Sequence, residues 1–192
     1  MKKDIEKLFL ESIEIIQDSM NLSDIIERTT KEISHCIENG HRIYIFGNGG
    51  SAADAQHIAA ELIGRFKLER ESVPAVALST DTSILTSIAN DYSYEKIFSR
   101  QCESLVNEGD VIIGISTSGN SKNVIEGIMM AKKKKAITIG LLGNNGGKIG
   151  EIVDIPIIVN SEITSKIQEV HRIVYHIICE LLENELVKKE KS

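Results

Sequence analysis

Tryptophan is absent from the 192 residues, phenylalanine and tyrosine number four each, and proline occurs only twice, where average usage would give about nine or ten. The core therefore has to be aliphatic, and so little proline leaves the chain free to form helices. Cysteine is scarce and odd in number: Cys36, Cys102 and Cys179 are widely spaced and read as free thiols in a reducing, cytoplasmic compartment. There is no excess of positive charge. Twenty-two Lys and Arg stand against 28 Asp and Glu, giving a net charge of −6 and a pI near 5.4. That balance argues against nucleic acid or an anionic membrane as partner, since both reward a basic face. Long apolar runs are missing too. The longest uncharged stretch, Ala136 to Gly147, has 12 residues, short of the ~18 that suggest a membrane span. Charges interrupt the N-terminus every few residues, so it holds no secretory apolar segment. What is present, 42% apolar and 26% charged residues, suits one globular domain over 1–192.

The first forty residues are helical in pattern. Ile5, Leu8, Phe9, Ile13 and Ile16 recur at steps of three and four, as do Ile25, Ile26, Thr29, Ile33 and Ile37. Asp24 with Glu27 predicts a capping pair for the second helix, and Gly40 its end. The rhythm then changes. Short β-branched runs at 43–46, 75–78, 111–115, 137–141 and 155–159 are nearly all apolar, as in strands covered on both faces. Helical stretches lie between them near 52–65, 83–105 (broken near Asn90), 121–135, 147–151 and 163–186. This alternation predicts a three-layer α/β sandwich: a five-stranded parallel sheet with right-handed crossovers, flavodoxin- or Rossmann-like, plus two leading helices. Such sheets bind ligands beyond the carboxyl ends of their strands.

Two of those ends look suited to a phosphate. The first reads Gly47-Asn48-Gly49-Gly50-Ser51-Ala52; its glycines permit close backbone approach, and the helix it opens offers unpartnered N–H groups. It satisfies G-x-G-x-x-A, but the acidic residue that a dinucleotide site wants about 20 positions on does not fall into place. Ser79 and Thr80 stand there, with Asp81 too far along. No Gly-Lys-Ser/Thr of a Walker loop follows either, so no nucleotide cofactor is expected. The third strand ends in Ser116-Thr117-Ser118-Gly119-Asn120-Ser121, four hydroxyls in six residues. Hydroxyls and helix N–H groups together can satisfy a phosphate monoester without Lys or Arg. Taken singly, each loop is equally a plain turn or an N-cap; taken together, they point to a small phosphorylated metabolite.

Residues that could do chemistry lie on helices. His57 and Glu61 are spaced i,i+4, on one face; they are a metal pair, a base with its partner, or an ordinary exposed pair. The last helix carries Gln168, His171 and His176. Gln168 and His176 lie about 12 Å apart along a straight helix, so one metal takes both only if side chains converge, the helix bends or two subunits contribute. His171 is either structural or faces a neighbour. Lys132 to Lys135 read as a solvated helix end that complements the dipole. Asn90-Asp91 falls in the helix break, where turn chemistry is the default, and Arg65 suits a substrate or a subunit contact.

The strings GNGGSAADAQHIAAELIGRF, STDTSILTSIANDYSYEKIFSRQ, GISTSGNS and KIQEVHRIVYHIICELLE together resemble the phosphoheptose (sedoheptulose 7-phosphate) isomerases of the sugar isomerase, or SIS, fold family, over nearly the whole chain. The resemblance implies an aldose–ketose isomerisation of D-sedoheptulose 7-phosphate to D-glycero-D-manno-heptose 7-phosphate through an enediol, the first step towards activated heptose. It implies that Asn48, Gly49, Gly50, Ser51, Ser116, Thr117, Ser118 and Ser121 hold the phosphosugar, with His57, Glu61, Asn90, Asp91 and Gln168 completing its contacts. It implies one zinc ion per subunit on His57, Glu61, Gln168 and His176, with Glu61 and His176 as the acid/base pair. It implies a homotetramer whose sites lie where subunits meet, the 1–40 helical pair serving both core and oligomer. A rival reading is a non-catalytic SIS relative that binds the replication initiator. In that pattern the positions matching Glu61 and His176 are not Glu and His, whereas here both are present.

Overall fold

The structure, a computed structural model, describes residues 1–190. Five parallel strands, β1 (Ile43–Gly47), β2 (Ala75–Ala77), β3 (Val111–Ser116), β4 (Ile137–Gly143) and β5 (Ile155–Val159), form one sheet in the order β2-β1-β3-β4-β5. The chain reverses direction across the sheet between β1 and β3, so the crevice beyond Gly47 and Ser116 is the switch point where such sheets bind ligands. Of the two prolines, Pro156 sits in edge strand β5, where it spoils no central ladder.

Alternation along the strands feeds two cores that are mostly aliphatic, as expected, but not wholly so: Tyr44, Tyr175, Phe46 and Phe98 are among their largest buried side chains. Ile43 and Ile45 pack with α2 (Ser23–Glu38), α3 (Gly50–Ile63) and α8 (Thr164–Glu190) on one face, as do Ile113 and Leu141. Tyr44, Phe46, Ile112 and Leu142 pack on the other with residues of α4 (Thr82–Asp91), α5 (Ser99–Leu105), α6 (Lys122–Lys133) and α7 (Gly147–Ile152). All three cysteines are buried and unpaired, and burial pushes each thiol up to about 12.

The leading helices differ in one detail from the sequence expectation. Between α1 (Lys2–Asp18) and α2 a 3-10 turn over Ser19–Leu22 runs directly into the helix at Ser23. Asp24 is therefore already inside the first turn, and no side chain caps α2. The expected Asp24/Glu27 capping pair does not form; Glu27 instead pairs with Lys31 at 2.5 Å. Gly40 does end the helix, at φ +76°, with His41 N–H returning to the Cys36 carbonyl (3.1 Å). The 83–105 stretch breaks into α4, a 3-10 turn at Tyr94–Lys96 and α5. At the end of α6, Lys132 turns back to the Ile152 carbonyl and Asp154 (2.7 and 2.8 Å), so that lysine pins the entrance of β5.

α1 buries no residue. It is held to α8 by Lys166, itself only 9% exposed, whose ammonium donates to the Leu8 carbonyl and the Ser12 hydroxyl.

Candidate active site

At the end of β1, Gly49 takes φ +56° and α3 begins at Gly50. A side chain at Gly47 would come within 2.8 Å of Ser51 Cβ and 2.9 Å of the Ile115 carbonyl, so the loop lies tight against β3. Beyond β3, Gly119 takes φ +65°, and the Ser116 and Ser121 hydroxyls share a hydrogen bond at 3.0 Å. The two loops are laced together. The side-chain amides of Asn48 and Asn123 pair reciprocally at 2.8 Å, and the Tyr94 hydroxyl donates to Asn48 Oδ1 at 3.0 Å. Tyr94 follows closely on Asn90 and Asp91, which close α4 exposed and hydrogen-bonded to each other (2.9 Å). The region after α4 is thus tied to the first loop through Tyr94. Lys122, the first cation after the second loop, is paired with Glu95 at 3.0 Å. What the loops present is backbone N–H, amide and hydroxyl.

Two parallel helices carry the rest. α3 and α8 both leave the carboxyl edge of the sheet, and their facing residues fall into register. Gln168 lies over Gly50, where an added Cβ would collide with its amide. One turn further, Arg172 Nη2 donates to Asp54 Oδ1 at 2.9 Å. A further turn on, His57, Glu61 and His176 bring one ligand atom each within 4.8 Å of one another. His57 Nε2 lies 2.9 Å from Glu61 Oε1, and the His57 and His176 rings meet edge-on at 5.1 Å. Burial first, and then the neighbouring His57, hold His176 below the ordinary imidazole range, which favours the neutral, ligating form. Two imidazoles and a carboxylate converging this way are a possible metal-binding cluster.

Gln168 is placed at the loop end of α8, over Gly50 and about two helical turns before His176. His171 does not face a neighbour. It is fully buried, its Nε2 within 3.0 Å of the Leu142 carbonyl, and burial lowers its basicity; it is structural. Arg65 stands away at the end of α3, exposed and 3.7 Å from Glu69.

Several residues near the site were not singled out by motif. Asp54 is 1% exposed and joins Arg172 and Tyr175, while Asn123 and Tyr94 join the loops. Helix spacing carries a signal for Asp54, which precedes His57 by three residues on the same face. The strip 64–72 passes beside the cluster. Glu183 of α8 accepts the backbone N–H groups of Phe66, Lys67 and Leu68 (2.9, 2.7 and 2.7 Å), and the Phe66 ring rests 5.6 Å from that of His176.

The SIS domain family matches residues 9–143. The phosphoheptose isomerase of Aliarcobacter butzleri is 49% identical over 187 residues, 97% of this chain and 99% of its own length. That of Geotalea daltonii is 54% identical over 165 residues, 86% of each chain. This chain belongs to the phosphoheptose isomerases of the SIS family. The solved phosphoheptose isomerase of Neisseria gonorrhoeae superposes on it with a TM-score of 0.91 at 40% identity, covering 95% of this chain and 98% of that one. Membership extends over the two leading helices and over α8, so both halves of the site lie within the shared fold.

Proposed function

We propose that this phosphoheptose isomerase interconverts D-sedoheptulose 7-phosphate and D-glycero-D-manno-heptose 7-phosphate through an enediol, opening the route to activated heptose. The observation that carries this reading is the α3–α8 pair, which joins two phosphate-suited loops at one end to a His57–Glu61–His176 cluster at the other. The phosphate is held by Asn48, Gly49, Gly50, Ser51, Ser116, Thr117, Ser118 and Ser121, through hydroxyls, amides and the N-termini of α3 and α6. Neutral donors suffice, so the chain's net charge of −6 is no obstacle to one small anion. Asn90, Asp91 and Gln168 contact the sugar hydroxyls.

The reaction moves two protons, one from C1 to C2 and one from the C1 oxygen to the C2 oxygen, with no net change of oxidation state. Glu61 takes a proton from C1 of the ketose while the C2 oxygen gains one, giving the enediol; a proton returned to C2 and one lost from the C1 hydroxyl leave the aldose. Glu61 and His176 share these transfers. His57, Glu61 and His176 fit a zinc ion, being two imidazoles and a carboxylate with room for a further ligand. When bound, that ion would polarise the substrate's oxygens. Gln168 completes the donor set from a second copy. Along α3, Gly50 and Glu61 are separated by about 16 Å of helix rise, which favours a site completed where copies meet in a homotetramer. The exposed apolar side chains of α1, Phe9 at 67% and Leu10 at 65% among them, suit such an assembly. The enzyme is read as cytoplasmic, in keeping with its buried free thiols.

Incubation with sedoheptulose 7-phosphate, followed by NMR with and without zinc, tests the proposal. Appearance of a heptose 7-phosphate supports it. No conversion under either condition would favour a binding role on the replication initiator.

A further inference from the structure

The loop after β4 reads Gly143-Asn144-Asn145-Gly146-Gly147-Lys148, and the reaction scheme assigns it nothing. It is pressed against the second phosphate-suited loop. A side chain at Gly143 would come within 2.4 Å of the Thr117 carbonyl, and one at Gly119 within 2.1 Å of the Gly146 carbonyl. Asn144 stands at φ +54°, one of two non-glycine residues with positive φ among the described residues. Glycine takes that conformation without cost, whereas asparagine only tolerates it. What the side chain touches is therefore informative. Its Nδ2 donates to the Thr117 carbonyl at 3.0 Å, and its backbone N–H donates to the Ser161 carbonyl at 2.9 Å, which ties the residue to the segment after β5.

The second loop has a consistent polarity. Each carbonyl from Ser116 to Gly119 already has a donor. The Gly119 N–H serves Ser116 (3.1 Å), Asn144 serves Thr117, the Asn120 side-chain amide serves Ser118 (2.8 Å), and the Ile149 N–H serves Gly119 (2.9 Å). A carbonyl oxygen carries partial negative charge and repels a phosphate oxygen, so a loop that receives an anion has to turn its carbonyls aside and its N–H groups forward. Of the four donors, two belong to the loop itself and one to the backbone of α7. Asn144 alone among them is a side chain sent from another loop. In a trans peptide the C=O and N–H point in opposite directions. Holding the Thr117 carbonyl on Asn144 thus turns the Ser118 N–H away from the 143–148 segment.

We propose that Asn144 is a positioning residue of the phosphate site: its amide fixes the Thr117–Ser118 peptide so that the Ser118 N–H, and not the Thr117 carbonyl, faces the bound phosphate. The proposal rests on reading the second loop as a phosphate site. Without the amide, the Thr117 carbonyl loses its partner in a half-buried place, and the peptide is free to turn that oxygen towards the anion. The proton transfers lie at the other end of α3, at Glu61 and His176, so the effect falls on substrate binding and not on turnover.

The test uses inorganic phosphate as the probe, by isothermal titration calorimetry and backbone amide NMR, beside steady-state kinetics with sedoheptulose 7-phosphate. Asn144→Gly suits the positive φ and adds no charge, so the protein should fold with only the amide lost. Its phosphate affinity should fall about 3–10-fold, KM should rise by the same factor, and kcat should hold. In the wild type the Ser118 amide signal should move on phosphate addition, and in Asn144→Gly that movement should shrink. Asn145→Gly is the control. It removes a bond within the same segment, from the Gly147 N–H to Asn145 Oδ1 (3.1 Å), without touching Thr117, and should leave phosphate affinity unchanged. Equal phosphate affinity in the wild type and Asn144→Gly would overturn the proposal. So would a fall in kcat with KM unchanged, a Ser118 signal indifferent to bound phosphate, or an equal loss of affinity in Asn145→Gly. A wild type that binds no inorganic phosphate would instead overturn the phosphate reading, and this proposal with it.

Discussion

Glycines 50 and 119 look alike in the sequence, each within a loop that ends a strand, yet they answer to different neighbours. A methyl on Gly50 would meet only the end of the Gln168 side chain, a flexible group that can swing away. Gly50→Ala is therefore expected to melt within a few degrees of wild type while raising KM for sedoheptulose 7-phosphate, as steady-state kinetics would show. Gly119, at φ +65°, faces the backbone of Gly146 and Gly147. Gly119→Ala should cost stability outright, by at least about 1 kcal/mol in urea unfolding. Glu61→Gln keeps the shape and the contact with His57 but removes the base; turnover should fall by about 10²–10⁴-fold, and near-normal turnover would disprove the role. At this scale the sequence speaks where chemistry repeats at helix spacing, as with His57 and Glu61. It is silent where meaning depends on which faces meet. Asp54 and Tyr175 stand far apart in the chain, and nothing in either helix alone says that a tyrosine will meet a buried carboxylate.

Elements were legible through their periods. The five strand runs and the long last helix stand out because strands buried on both faces are almost purely apolar, and helices between them are not. The start of α2 was misread because a helix entered through a 3-10 turn does not need a polar cap, whatever residues stand nearby. Two predictions belong here. Glu183 anchors the backbone of 66–68 to α8 and lies 3.6 Å from the buried Arg70 guanidinium; three N–H donors keep its carboxyl below the usual range although burial opposes this. Glu183→Ala should cost about 3–5 kcal/mol by denaturant unfolding, and in any folded fraction release Phe66 from His176. His171 sets a pH dependence. Burial lowers its folded pKa below the ordinary value of 6.5, so the unfolded chain binds the proton first. Stability is then full above that value and is lost as pH falls from it towards the folded pKa, by at most about 1.4 kcal/mol per pH unit. His171→Gln should flatten this part of the urea-midpoint profile between about pH 7.5 and 5.

For the whole molecule, α1 is the anomaly. A helix with no buried residue and a row of exposed Ile5, Leu8, Phe9, Leu10 and Ile13 is more apolar than a solvent-facing helix needs to be. If the proposed tetramer forms through α1, Phe9→Asp is expected to shift sedimentation towards smaller species, with isomerase activity falling in step; an unchanged sedimentation coefficient would exclude α1 from the assembly. The apolar period of α1 was visible in the sequence, but what it covers was not, because periodicity names a face and not its partner. The α8 rod, 27 residues and so about 40 Å long, gives the molecule a further property. It carries Gln168 at the loop end, Tyr175 and His176 at the cluster and Glu183 beyond. The spacing between the loop end and the cluster is thereby written into helical pitch, as marks on a ruler. Inserting one residue between Gln168 and Arg172 would turn one end by about 100° against the other. Any change in that spacing would have to work by exchanging side chains or by re-docking neighbours, since the ruler itself cannot be lengthened by single steps.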